Sequence, residues 1–226
     1  VDTLDWLILT RHGESTGNVA YRAAYERGAE ETGILERDAD IPLSETGRVQ
    51  AAGLGRWLAA LPEGERPTLV LTSPFLRAAE TARIALEQAP YAVPVRVDER
   101  LRDRDQGVFE GLTSFGIRAR FPEEYTRKRR IGKFYYRPPG GESWADLALR
   151  LRSLYRDLHE QEPGGRVLAV AHDAIVVMTR YVVEGLSEPE ILEIEKTPIG
   201  NCSVSRWRHD GGRLCPIIYN DISHLA

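Results

Sequence analysis

The apolar positions of this chain follow two patterns that alternate along it. The first is a short continuous run. Residues 4–10 (LDWLILT), 69–75 (LVLTSPF) and 166–173 (RVLAVAHD) each hold an apolar stretch too short for a helix and too continuous for a strand with one wet face. They predict strands buried on both sides. Residues 94–101 (PVRVDERL) predict a further short strand. The second pattern is helical spacing. It appears over residues 44–61 with Leu54, Trp57, Leu58 and Leu61, and again after Ser143 with Trp144, Leu147, Leu151, Leu154, Tyr155 and Leu158 on one face. Residues 174–184 predict a helix ended by Gly185. Ser73 and Pro74 read as the N-cap and first-turn pair of a helix after the second strand. Residues 18–40 show no clear period and read as a polar excursion over a site, and residues 112–142 read as irregular or short-helical. Residues 202–220 (CSVSRWRHDGGRLCPIIYN) read as a closing hairpin turning around Asp210 and Gly211. Strand and helix in alternation predict a parallel α/β sheet.

Composition narrows this picture. A chain of 226 residues supports one sizeable core, and no repeat or long linker divides it, so residues 1–226 are expected to form a single domain. A formal net charge of −4 excludes wholesale nucleic-acid binding but allows a local basic site. No apolar run approaches the roughly 18 residues of a membrane span. The N-terminus is acidic and residues 4–9 are too short for the apolar region of a signal peptide, so a cytoplasmic location is expected. In the hairpin register read above, Cys202 faces Tyr219 and Cys215 faces Arg206. The two thiols are then roughly 13 Å apart, beyond the Cα separation of about 7 Å that a disulfide allows. Both are expected to be free, as in a reducing compartment.

The chemistry gathers where the apolar runs stop. One run ends on Arg11 and His12, a second leads into Arg77 in the first turn of its helix, a third ends on His172 and Asp173, and the short fourth strand leads to Asp103. In an open parallel sheet these strand ends share one rim, where ligands bind. Two arginines beside two histidines make an anion pocket, because guanidinium forks match phosphate oxygens and stay charged. Gly13 permits close backbone approach. A neutral imidazole in such a pocket can attack phosphorus, nearby positive charge keeps it neutral, and a carboxylic acid such as Asp103 can protonate the departing alkoxide. No metal site is expected: neither HxH nor HExxH spacing occurs, and an arginine beside a ligand histidine would repel a dication.

Five blocks in order resemble the histidine phosphatase superfamily, in its branch 1, the phosphoglycerate-mutase-like branch: TRHGES with Asn18, SPFLRAAETA, LRDRDQGVFEG, GGES and VAHD. The resemblance runs from about residue 7 to residue 207. It implies a three-layer α/β/α sandwich, a mostly parallel sheet with a capping insertion. It also implies that His12 is the phosphorylated nucleophile, that Arg11, Arg77 and His172 complete the phosphate pocket, that Ser15 and Asn18 bind phosphate or substrate, and that Asp103 is the acid and then the base.

The chain departs from the family pattern twice. Asp103 replaces a glutamate and has about 1.5 Å less reach, which matters where a misplacement of about 1 Å is costly. Asp105 and Glu110 are therefore reserve acids. Asp173 stands where the family usually has glycine, and its charge disfavours phosphate unless it turns away or pairs with an arginine. The mutases of the family carry an extra segment before the helix that begins here at Ser143, so hydrolysis without a cofactor is the expected activity. A mutase, or a phospho-ligand-binding protein on an inactive scaffold, are the alternatives. The expected partner is a small phosphorylated substrate, with room for a homodimer. The stretch TRKRRIGKFYYRPPGGES, with Arg127, Lys128, Arg129, Arg130, Lys133 and Arg137, reads either as a solvated basic face or as a lid that captures a polyanionic substrate.

Overall fold

The apolar runs are continuous because helices cover both faces of the strands. The computed structural model describes residues 4–226, and the acidic start of the chain lies outside the described residues. Strands β1 (Trp6–Arg11), β2 (Leu69–Thr72), β3 (Val95–Val97) and β4 (Arg166–Ala171) are parallel. Strands β5 (Val204–Asp210) and β6 (Arg213–Asp221) add to one side as an antiparallel pair. The resulting six-stranded sheet has the order β3-β2-β4-β1-β5-β6.

Alternate residues of each inner strand feed two separate cores. Leu7 and Leu9 of β1, with Val167 and Ala169 of β4, pack on helices α6 (Trp144–Gln161) and α7 (Asp173–Glu184). Trp6 and Ile8, with Leu168 and Val170, pack on the other face against α2 (Glu45–Ala59) and α3 (Leu76–Gln88). This is the three-layer sandwich expected from the sequence. Residues 112–142 supply the cap as two short helices, α4 (Ser114–Arg120) and α5 (Pro122–Ile131).

Local signals account for several helix ends. Ser44 caps α2, Ser143 and Asp146 form a reciprocal capping box on α6, and Gly185 ends α7 in the left-handed conformation. Four features differ from the sequence reading. Part of the polar excursion is helical, α1 (Thr16–Glu26); a capping box starts it and only Ala24 is buried, so no apolar stripe announces it. A short helix α8 (Glu188–Ile194) follows α7, held to the core by Ile191. The hairpin turns at Gly211 and Gly212, both with positive φ, because Asp210 pairs with Arg213. Cys215 therefore faces Arg208 rather than Arg206; both thiols are free. Finally, Ser73 does not cap α3, whose N-cap is Phe75 with no side-chain hydrogen bond.

Candidate active site

The parallel strands β1, β4 and β2 are neighbours, so their C-terminal ends deliver side chains to one place. The His12 backbone N–H donates to the Ala171 carbonyl (2.9 Å), which sets His12 beside His172. Their rings meet edge to face, with centroids 5.1 Å apart. Arg11, His12, Ser15, Asn18, Arg77 and Asp103 all line one cleft of about 600 Å³. His172 lies fully buried behind it.

The His12 ring is fixed by its own loop. Nδ1 lies 2.7 Å from the Gly13 carbonyl, which can only accept, so Nδ1 carries the proton and Nε2 keeps its lone pair. Burial pulls the His12 pKa well down, and His172, Arg11 and Arg77 add to this. His172 is lowered in the same way, by burial first and then by Arg77 and Arg11. Both rings are therefore neutral at neutral pH. His172 Nε2 lies 2.9 Å from the Ser73 hydroxyl, which also accepts from Phe75 N–H (3.2 Å), so this serine orients a histidine from the turn that leads into α3. Its Nδ1 is 3.3 Å from Asp103 Oδ2, outside hydrogen-bond geometry.

The loop that carries His12 is clamped from below. Gly13 N–H donates to Thr81 Oγ1 (3.0 Å), Glu14 N–H to Gln50 Oε1 (2.8 Å), and Ser44 N–H to the Glu14 carbonyl (2.8 Å). Gly13 and Gly47 let the loop and α2 touch: a Cβ on Gly47 would lie 2.0 Å from the Glu14 oxygen, and one on Gly13 would lie 2.5 Å from the Gly47 oxygen. From above, Asn201 Nδ2 donates to the His12 carbonyl (2.9 Å), and Arg11 Nη1 donates to the Ile199 carbonyl (2.6 Å). Asn201 carries no motif that would single it out in the sequence.

Ser15 and Asn18 hold each other in the capping box of α1. Ser15 Oγ accepts from Asn18 N–H, and Asn18 Oδ1 accepts from Ser15 N–H, each at 3.1 Å. The Ser15 O–H and the Asn18 amide N–H groups are left for a ligand. Arg77 is buried against the Phe75 ring and donates to Asp103 Oδ2 (3.1 Å) and to Asp38, a residue of the polar excursion that no sequence motif marks.

Asp103 is held by its backbone as well. Arg150 donates to the Asp103 carbonyl (3.2 Å) and to both oxygens of Glu142 (3.0 Å each), and Glu142 also accepts from Arg102 (2.6 Å). Glu142 thus anchors the loop that presents Asp103, beyond any effect on the α6 dipole. Of the reserve acids, Glu110 lines the cleft. Its pKa is raised by burial and by Asp38 and Asp103. Asp105 does not line the cleft; its Oδ1 accepts from Gly107 N–H (2.7 Å) in a turn. Asp173 is exposed on the cleft wall, and its Oδ1 accepts from Ala174 N–H (2.6 Å) at the start of α7.

Arg104, Lys128 and Lys133 line the same cleft under the cap and also an adjoining cavity of about 460 Å³, which Phe109, Tyr125, Tyr136 and Trp144 help to wall. Lys133 pairs with Glu195, whereas Arg104 and Lys128 have no carboxylate partner among the described residues. Partial burial of the Lys128 ammonium, followed by the charges of Lys133 and Arg104, lowers its pKa. Among the described residues, no group of three or more His, Cys, Asp or Glu side chains is arranged to hold a metal ion, and no helix is long and apolar enough to cross a membrane.

Residues 7–221 match the family model of the histidine phosphatase superfamily (branch 1). A 2,3-bisphosphoglycerate-dependent phosphoglycerate mutase 2 of Gloeobacter violaceus is 34% identical over 206 residues, 90% of this chain and 85% of its own. A glucosyl-3-phosphoglycerate phosphatase of Mycobacterium tuberculosis is 33% identical over 178 residues, 75% of this chain and 71% of its own. Among solved structures, a mycobacterial glucosyl-3-phosphoglycerate phosphatase with inorganic phosphate superposes with a TM-score of 0.75 at 26% identity, over 98% of this chain and 99% of that one.

Proposed function

This chain belongs to the histidine phosphatase superfamily, branch 1, and from that premise we propose that it hydrolyses a small phosphate monoester through a phosphohistidine on His12, without a metal. The observation that carries the reading is the His12 ring: buried, neutral, proton on Nδ1, lone pair on Nε2, with Arg11 and Arg77 on the same cleft wall. In the first step Nε2 attacks phosphorus, the bond from phosphorus to the ester oxygen breaks, and Asp103 as carboxylic acid gives that oxygen its proton. In the second, the Asp103 carboxylate takes a proton from water as the water oxygen attacks phosphorus. The P–N bond then breaks and orthophosphate leaves. The two guanidinium groups and the Asn18 amide stabilise the charge on the phosphoryl oxygens, and His172 closes the pocket from behind. Arg104 and Lys128, cations without carboxylate partners, favour a leaving group that bears a further anion. The two free cysteines support a reducing, cytoplasmic setting.

A mutase is the second reading, favoured by the 34% identity to a phosphoglycerate mutase. Incubation with 3-phosphoglycerate and a bisphosphate primer separates the two. Release of orthophosphate without 2-phosphoglycerate supports hydrolysis, and interconversion of the two phosphoglycerates supports the mutase.

A further inference from the structure

Both terminal nitrogens of Arg77 already donate hydrogen bonds within the protein. Nη1 donates to the Asp38 backbone carbonyl (2.6 Å) and lies 3.0 Å from Asp38 Oδ1. Nη2 donates to Asp38 Oδ2 (3.3 Å) and to Asp103 Oδ2 (3.1 Å). The guanidinium face is covered by the Phe75 ring, 5.0 Å away. Asp38 supplies most of these acceptors from a single 3-10 turn, Asp38–Asp40, in the segment between α1 and α2. Its carboxylate lines the cleft, remains 30% exposed, and has no other hydrogen-bond partner among the described residues. Its backbone carbonyl makes the shorter bond, so the side chain can swing away while the turn stays attached.

We infer that the Asp38 carboxylate is an internal occupant of the phosphoryl site, holding on Arg77 the place that a phosphate must take. This rests on the reading of Arg77 as a phosphate ligand. A phosphate that enters must displace the carboxylate, and a phosphate that leaves is replaced by it. Asp38 thereby weakens the hold of the pocket on orthophosphate and speeds product release. The groups that face Asp38 are Arg77, Asp103, Asp105 and Glu110, three of them acidic. Burial raises the Asp38 pKa, Arg77 opposes the rise, and Asp103 and Asp105 add to it, so the competitor is neutralised at a milder acidity than an ordinary aspartate.

Calorimetric titration of orthophosphate into the wild type, Asp38→Asn and Asp38→Ser tests this. At about pH 7 both variants are expected to bind at least roughly tenfold more tightly, because a like charge beside a dianion has been removed. At about pH 5 the ratio to wild type should shrink; the titration of phosphate itself is common to all three proteins and cancels. Product inhibition of p-nitrophenyl phosphate hydrolysis should strengthen in parallel, through a lower inhibition constant. Equal or weaker phosphate binding by both variants, with unchanged unfolding midpoints, overturns the inference and makes Asp38 a buttress for Arg77. The same titration on Arg77→Gln separates the two levels of the argument. If phosphate binds as well without Arg77, the phosphate-pocket reading fails and the inference falls with it.

Discussion

Gly47→Ala adds one methyl group on α2, outside the cleft lining, yet it should disable the site. The new Cβ would sit 2.0 Å from the Glu14 carbonyl oxygen and 2.9 Å from the Glu14 carbonyl carbon and nitrogen. An ordinary contact requires about 3.4 Å or more, so the backbone at Glu14 must retreat by roughly 1.4 Å. Neither partner can give way cheaply. The Glu14 carbonyl also accepts from Ser44 N–H at 2.8 Å, and Glu14 is tied through Gln50 to α2 itself. The displacement therefore passes along the loop to Gly13 and His12. A misplacement of about 1 Å costs on the order of 100-fold in rate, and overpacking of this kind costs about 1–3 kcal/mol of stability. Steady-state kinetics and urea unfolding on the same preparation read both numbers. A variant that folds with the wild-type midpoint and keeps kcat/KM within about twofold would refute the claim that this glycine contact sets the position of His12.

Asp103→Asn should lower kcat by about 10²–10⁴-fold on an alkyl phosphate and far less on p-nitrophenyl phosphate, whose leaving group departs without a proton; equal losses on both would remove Asp103 from the acid role. Lys128→Gln should raise KM by roughly fivefold for a substrate with a second anion while leaving a simple monoester unaffected, as expected for one partly screened cation. Acid should destabilise the fold through His12 and His172. Both have folded-state pKa values pushed down, so the unfolded chain binds their protons first, and the stability they contribute above about pH 6.5 is lost as pH falls below it. Each contributes a slope of up to about 1.4 kcal/mol per pH unit. Urea unfolding midpoints should therefore fall more steeply in the wild type than in His12→Gln, and identical slopes would contradict the neutral, buried ring.

Much of this site is legible in the sequence because strand burial and catalytic chemistry leave opposite marks. Apolar runs buried on both faces end abruptly, so Arg11, His12 and His172 stand out at their ends, and parallel topology then requires them to meet. Arg77 is found the same way, one helical turn beyond β2. Asp38 is not legible, since its role comes from a contact with Arg77 across 39 positions and nothing in its own neighbourhood marks it. Asn201 reaches the His12 carbonyl across 189 positions. Ser73 misleads because its hydroxyl accepts from Phe75 N–H in a turn before α3 rather than at the cap itself, and its contact with His172 spans 99 positions. Helix α1 hides because a helix that buries only Ala24 needs no apolar period.

Covalent capture of the intermediate tests the central claim most directly. The enzyme is mixed with a phosphate monoester, quenched under conditions that preserve phosphohistidine, digested and weighed by mass spectrometry, with chelator present throughout. The mechanism predicts one added phosphoryl group on the peptide that contains His12, and neither adduct nor turnover in His12→Ala. A phosphoryl group on another residue, or full turnover by His12→Ala, would contradict it.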